Sequence, residues 1–239
     1  MEKSNIDEKI KLLTGNGMWH TQEVEDLPSV HLSDGPHGLR KQEEKERQNN
    51  VSLVSTCYPT ASALACSWDV TAAERLGRAV AKEAWNADVA VLLGPGINMK
   101  RSPLCGRNFE YFSEDPFLAG RLGAAYVSAA QGEDVAVSLK HFAANNQETN
   151  RQTSNSQIDE RALREIYLSA FEYVVKTARP ATVMASYNRL NGYYACENRH
   201  LLTEILREEW GFDGVVISDW GACADLAKAV KAGMDLEMP

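Results

Sequence analysis

Asp219 follows a short apolar run in Val-Val-Ile-Ser-Asp-Trp-Gly (215–221), and the same arrangement recurs along the chain. Lys140-His141 follow the run 135–139, with Asn145, Asn146, Gln147, Glu148 and Arg151 close behind. Tyr187-Asn188 follow 181–185, and Ser33-Asp34-Gly35-Pro36-His37-Gly38-Leu39-Arg40 forms a turn-rich loop early in the chain. An isolated Ser-Asp after a strand reads as a helix N-cap. Likewise Lys140 alone is a surface lysine, His141 a core histidine, Arg107 an ion-pair arginine, and Tyr187 and Trp220 core aromatics. Gathered at one end of successive strands, they offer carboxylate acceptors, multi-donor cations and aromatic faces. That mixture suits a polyhydroxylated ring, which needs many directional hydrogen bonds and an apolar platform.

The elements needed to gather them are legible as alternating runs. Val89–Leu93, Val135–Leu139, Ala181–Ala185 and Val215–Ile217 read as strands buried on both faces, with His31–Ser33 and Ala61–Ala65 as weaker candidates. Between them lie amphipathic helices. Residues 159–178 place Leu163, Ile166, Tyr167, Ala170, Phe171, Val174 and Val175 on one stripe behind an Asp159 cap. Thr71 with Glu74 reads as a capping box for a helix running to about Asn86. Asp115-Pro116 opens another helix that ends before Gly132, and Leu201, Leu202, Ile205, Leu206 and Trp210 form a stripe closed by Gly211. Strands separated by single helices imply βαβ units, a parallel sheet and either a (β/α) barrel or a doubly wound sheet. No Gly-x-Gly-x-x-Gly follows the first strand, which disfavours a dinucleotide fold.

Bulk properties exclude several classes. A net charge of −8 and a pI near 5.2 argue against a nucleic-acid partner. No stretch approaches 18 consecutive apolar residues, and residues 1–8 lack the apolar core of a signal peptide, so no membrane association is expected. Five widely spaced cysteines (57, 66, 105, 196, 223) suit a reduced, cytoplasmic protein. The histidines lack metal-binding spacing, there is no Gly-x-Ser-x-Gly elbow, and no glycine loop of the phosphate-binding type, so neither metal nor cofactor is expected. Lys41–Asn50, dense in charges of both signs, reads as a solvated loop.

Four segments carry a resemblance to glycoside hydrolase family 3, in its β-glucosidase-like branch. They are Ser-Asp-Gly-Pro-His-Gly-Leu-Arg (33–40), Gly-Pro-Gly-Ile-Asn-Met-Lys-Arg-Ser-Pro-Leu-Cys-Gly-Arg-Asn-Phe-Glu-Tyr-Phe-Ser-Glu-Asp-Pro (94–116), Lys-His-Phe-Ala-Ala-Asn-Asn-Gln-Glu-Thr-Asn-Arg (140–151) and Ser-Asp-Trp-Gly (218–221). The match runs in order from about Gly15 to Pro239. It implies a TIM-type (β/α)8 barrel, residues 1–239 being the family's N-terminal barrel domain, without the barrel's last units and the sandwich domain that follows. It implies a retaining β-glycosidase with Asp219 as nucleophile. Asp34, Arg107, Lys140, His141, Arg151 and Tyr187 match residues that hydrogen-bond the sugar, and Trp220 matches the aromatic wall beside it. Arg107 and Lys140 are expected to keep Asp219 ionised.

The resemblance implies a β-linked oligosaccharide or an aryl or alkyl β-glycoside as substrate, with glucoside the first choice. The family's N-acetylhexosaminidase branch has a Lys-His-Phe-Pro-Gly-His-Gly loop where this chain has Lys-His-Phe-Ala-Ala-Asn-Asn-Gln-Glu. A retaining enzyme also needs a carboxyl acid/base about 5–5.5 Å from the nucleophile. In this family it usually comes from the sandwich domain, and the chain stops near Met234–Glu237, the expected start of a seventh strand. Glu110, Glu148 and Glu160 are the carboxylates available as substitutes. Two other functions stay open: a carbohydrate-binding remnant without turnover, and an aldolase using Lys140 as a Schiff base.

Overall fold

A computed structural model describes residues 6–24, 26–42 and 51–239. The charged stretch 43–50 lies outside the described residues. In chain order the elements begin with α1 (Ile6–Lys11), β1 (Leu32–Asp34), α2 (Ala61–Ala65), α3 (Val70–Asn86) and β2 (Val91–Leu93). A short 3₁₀ turn (Asn108–Glu110) precedes α4 (Pro116–Gln131), β3 (Ala136–Phe142) and β4 (Asn155–Ser156). Next come α5 (Glu160–Ala162), continued by a wide π-type segment (Leu163–Tyr167) into α6 (Ser169–Ala178), and then β5 (Thr182–Ala185). β6 (Arg189–Leu190) and β7 (Tyr193–Tyr194) form a hairpin. A 3₁₀ turn (Ala195–Glu197), a π-type helix (His200–Glu209), β8 (Val215–Ser218) and α7 (Leu226–Ala232) complete the order.

The main sheet has the order β1-β2-β3-β5-β8, every pair parallel, with Asp34 opposite Leu93, Leu92 opposite Val137, Leu139 opposite Val183 and Ala185 opposite Ser218. β4, β6 and β7 make a small separate sheet. The parallel α/β architecture expected from the alternating runs is present, but among the described residues no closed barrel is seen, β1 and β8 being the edges of a five-stranded sheet. Met234–Glu237 adds no seventh strand. Leu236 bridges Ile217, and Glu237 bridges Thr14, each as a single parallel bridge.

Strand alternation divides the core in two. Leu92, Val137, Leu139, Val183 and Val216 face the helices, while Leu32, Leu93, Met184 and Ile217 pack on the other face with Leu236 and Met238. Burial on both faces explains why these runs read as nearly continuous apolar sequence. Val215 departs from that expectation, being 41% exposed at the strand's start. α3 and α4 approach closely at Gly77, where an added Cβ would lie 2.5 Å from the Tyr126 carbonyl oxygen.

Three local readings are corrected. Ala61–Ala65 is helical: its alanines and leucine favour helix, and the Thr60 side chain accepts a hydrogen bond from the Ala63 N–H. Asp69 rather than Thr71 caps α3, accepting from the Thr71 N–H at 2.8 Å. The stripe over 159–178 is not continuous. Asp159 caps it as expected, but the Leu168 N–H reaches the Leu163 carbonyl, five residues back. That extra residue in the turn carries Leu168 into the core and leaves Ile166 39% exposed. The Asp115-Pro116 start and the Gly211 end, with φ of 73°, stand as read. No described helix is long and apolar enough to cross a membrane.

Candidate active site

The polar residues meet at the carboxyl ends of the parallel strands, around a cavity of about 830 Å³. That size lies in the range of small-molecule sites. Asp34 closes β1, Lys140 and His141 lie near the end of β3, Tyr187 follows β5 and Asp219 follows β8. Seven of the eight residues singled out from sequence line this cavity. His141 does not.

Each position has a local cause. The loop after β1 doubles back tightly enough that the Arg40 N–H donates to the Asp34 carbonyl at 2.9 Å. Gly35, at φ +125°, makes this possible, since a Cβ there would sit 2.1 Å from the Gly38 carbonyl oxygen. The 3₁₀ turn at Asn108–Glu110 brings Arg107 and Glu110 together so that the Arg107 Nε–H donates to Glu110 Oε1. Lys140 is pinned through its backbone, with its N–H on the Pro95 carbonyl and its carbonyl accepting from Ile97 N–H. Asp219 is held by its N–H on the Ala185 carbonyl at 2.9 Å.

The two oxygens of the Asp219 carboxylate are unequally satisfied. Oδ1 accepts from the Trp220 N–H at 2.8 Å. Oδ2 has no hydrogen-bond partner, although Arg107 Nη1 lies 3.8 Å away and His141 Nε2 3.7 Å away. Burial is the largest influence on Asp219 and raises its pKa. Arg107, Lys140, the Trp220 N–H and the Tyr187 hydroxyl oppose that rise without cancelling it. The two cations therefore favour the carboxylate as expected, but desolvation outweighs them.

Asp34 has the opposite balance. Burial raises it, yet Lys140 Nζ at 3.4 Å and Arg40 Nη2 at 2.9 Å bring it below the ordinary aspartate value. Lys140 is only 3% exposed and lies between Asp34 and Glu110, whose Oε2 is 3.8 Å away. Its ammonium is engaged by two carboxylates, which weakens the Schiff-base reading. Arg107 resists burial by pairing with Glu110 and Asp219. Arg151 pairs with Glu148 at 2.8 Å and lies over the Tyr187 ring at 4.2 Å. Burial and the nearby Asp219 raise the Tyr187 phenol.

His141 is fully buried behind Arg107, with Arg107 Nη2 2.6 Å from its Nε2. His141 therefore packs behind Arg107 rather than lining the cavity. Trp220 lines the cavity, with a partner the sequence did not signal. The Trp19 ring lies 5.3 Å away at 38°, and Trp220 Nε1–H donates to the Met18 carbonyl at 2.7 Å. Asn98 was also missed. Its amide clasps the His141 backbone, donating to the carbonyl at 2.8 Å and accepting from the N–H at 2.7 Å. Glu110 had a signal, the i,i+3 spacing from Arg107, but it serves as counter-ion to two cations rather than as a free acid. Glu148 is engaged by Asn145 and Arg151, and Glu160 by Arg164 and His200 on a helix surface. Among the described residues, no group of three or more His, Cys, Asp or Glu side chains is placed to hold a metal ion.

Comparison with known proteins fits this geometry. The model of the Glycosyl hydrolase family 3 N terminal domain matches residues 33–239. The thermostable beta-glucosidase B of Acetivibrio thermocellus is 53% identical over 243 residues, covering all of this chain and 32% of that protein. The exo-alpha-(1->6)-L-arabinopyranosidase of Bifidobacterium longum is 50% identical over 239 residues, covering 98% of this chain and 32% of that one. Among solved structures, the Bifidobacterium adolescentis GH3 beta-glucosidase superposes with a TM-score of 0.94 at 49% identity, over 99% of this chain and 34% of its own. Beta-glucosidase 3B from Thermotoga neapolitana, in complex with glucose, gives 0.93 at 42% identity, over 99% and 35%. The chain spans about a third of the length of the curated relatives it matches.

Proposed function

The chain belongs to glycoside hydrolase family 3, and from that premise we propose that it supplies the nucleophile and the sugar-binding side chains of a retaining β-glycosidase acting on terminal β-D-glycosides. The observation that carries this reading is Asp219 Oδ2, a buried carboxylate oxygen without a hydrogen bond, beside two cationic side chains in the cavity. In the first step Oδ2 attacks the anomeric carbon as the glycosidic bond breaks. The leaving oxygen takes the bonding electron pair and a proton from a general acid. In the second step water displaces the carboxylate, with that same group acting as base.

Asp34 accepts from neighbouring hydroxyls, Lys140, Arg107 and Arg151 donate to others, and Tyr187 stands beside the nucleophile. Trp220 and Trp19 offer the apolar platform. Glu110 is committed to Arg107 and Lys140, so the acid/base is assigned to a glutamate beyond this cavity's described residues. The five parallel strands support a (β/α)8-type barrel in which Leu236 and Thr14 extend the pairing, with 1–239 belonging to that barrel domain. Glucoside is the preferred substrate on the names of the relatives, and arabinopyranoside is the second sugar to test. The five free cysteines support a cytoplasmic location.

A 2-fluoro β-glucoside with an activated leaving group tests the reading, because its departure needs little acid assistance. The chain should gain the mass of one fluoroglucosyl group, and Asp219→Asn should gain none. A folded chain that gains no mass would favour a carbohydrate-binding protein without turnover.

A further inference from the structure

His37 and Phe109 line the cavity but take no part in holding the proposed sugar. Both owe their place to local geometry. In the 3₁₀ turn Asn108–Glu110, three residues per turn put Arg107 and Glu110 on one side, where they pair, and Phe109 on another. Glu110 is buried, whereas Phe109 is 49% exposed. His37 is half-buried in the loop after β1. Its carbonyl accepts from the Tyr58 N–H at 3.0 Å, and a Cβ on the adjacent Gly38 would lie 2.6 Å from the Thr56 carbonyl oxygen. The backbone is thus fixed, yet the imidazole Nδ1 is buried without a hydrogen-bond partner among the described residues. The ring is held instead by Phe109, edge to face at 5.6 Å and 88°. Burial lowers the His37 pKa, Glu110 raises it and Lys140 lowers it, and the net fall leaves the ring uncharged near neutral pH.

This aromatic pair has a counterpart at the other edge of the sheet. His37 lies just past Asp34 and β1, and Trp220 lies just past Asp219 and β8, where it meets Trp19. Lys140, Glu110 and Asp219 are buried at the floor of the cavity, while Phe109 and Met18, next to Trp19, are exposed. The aromatic rings therefore stand nearer the mouth. A terminal sugar held by the floor residues directs its glycosidic bond outward, which brings the departing group among these rings. We propose that His37 and Phe109, together with Trp220 and Trp19, form a leaving-group subsite that takes a flat aromatic aglycone. This rests on the glycosidase reading for which end of the ligand lies at the mouth. Uncharged ring faces and edges on two sides match a planar ring, which an alkyl group cannot reproduce.

Titration calorimetry of the chain with methyl and phenyl β-D-thioglucoside, whose sulfur linkage resists hydrolysis, tests the subsite without turnover. The phenyl compound should bind about tenfold more tightly, the size of one or two aromatic contacts. Phe109→Ala and His37→Ala should each cut that preference at least about threefold, while moving the methyl compound less than about twofold. His37→Phe should keep the preference, because it restores a ring and removes the unpartnered nitrogen. Four results overturn the subsite: equal losses for both ligands, a preference untouched by either alanine variant, a loss in His37→Phe as large as in His37→Ala, or no binding of either compound. If the expected pattern appears but the 2-fluoro reagent leaves no adduct, the glycosidase reading fails and the aromatic subsite stands in a sugar-binding protein.

Discussion

Asp34 and Asp219 stand at opposite edges of one parallel sheet, yet both line one cavity. At the β1 edge, the Asp34 carboxylate has two cations in contact and lies below the ordinary aspartate value. At the β8 edge, Asp219 is more deeply buried, has one oxygen without a hydrogen bond, and lies above that value. In the proposed reaction the same side chain serves as a binder at one edge and as a nucleophile at the other. The difference comes from how many partners each oxygen already has, since a carboxylate saturated by donors has little electron density left to attack carbon.

The largest expected effect breaks the comparison outright. Asp219→Asn should lower trapping by at least about 10⁴-fold, the scale of removing a covalent nucleophile. Asp34→Asn should act on binding instead. It should raise the trapping reagent's half-saturation concentration about 10–100-fold, with a much smaller change in the limiting rate, because it weakens hydrogen bonds to ionised groups. The concentration dependence of the trapping rate separates the two.

Stability should distinguish them by sign. A raised folded pKa means that Asp219 favours folding while protonated, and that this contribution is lost as pH rises through its folded value. Asp219→Asn should therefore melt roughly 2–4 °C higher than the parent near neutral pH, with the gap closing on acidification. Asp34 works in reverse. Its lowered pKa gives stability that is present above the ordinary aspartate value and lost as pH falls through the folded one. Asp34→Asn should melt lower near neutrality, by a modest amount because its side chain is 30% exposed. Thermal melts of both variants across pH check the two signs. The smallest effect sharpens the cavity's apolar side: Trp19→Leu should weaken half-saturation only about 2–10-fold, consistent with loss of one aromatic pair.

Much of this was legible in the sequence where burial is symmetrical. Parallel strands covered on both faces leave unbroken apolar runs, so β2, β3, β5 and β8 could be found, and the polar residues just past them fell at one end of the sheet. β1 was faint because Leu32–Asp34 carries a serine and the functional aspartate in three residues. The extra residue in the turn at Leu163–Tyr167 could not be read, since apolar spacing fits an ordinary helix equally well and tertiary packing decides. At the site, residue types announced donors and acceptors but not their partners. Lys140 and His141 are adjacent, yet one lines the cavity and the other holds Arg107 from behind. Trp19 had no local signal because its partner, Trp220, lies at the far end of the chain.

Peptide mapping of the trapped fluoroglucosyl group tests the central claim most directly, because it asks which carboxylate in the shared cavity forms the bond. The sugar should sit on Asp219. A sugar mapped to Asp34, Glu110 or Glu148 would contradict the assignment of the unpartnered oxygen as nucleophile.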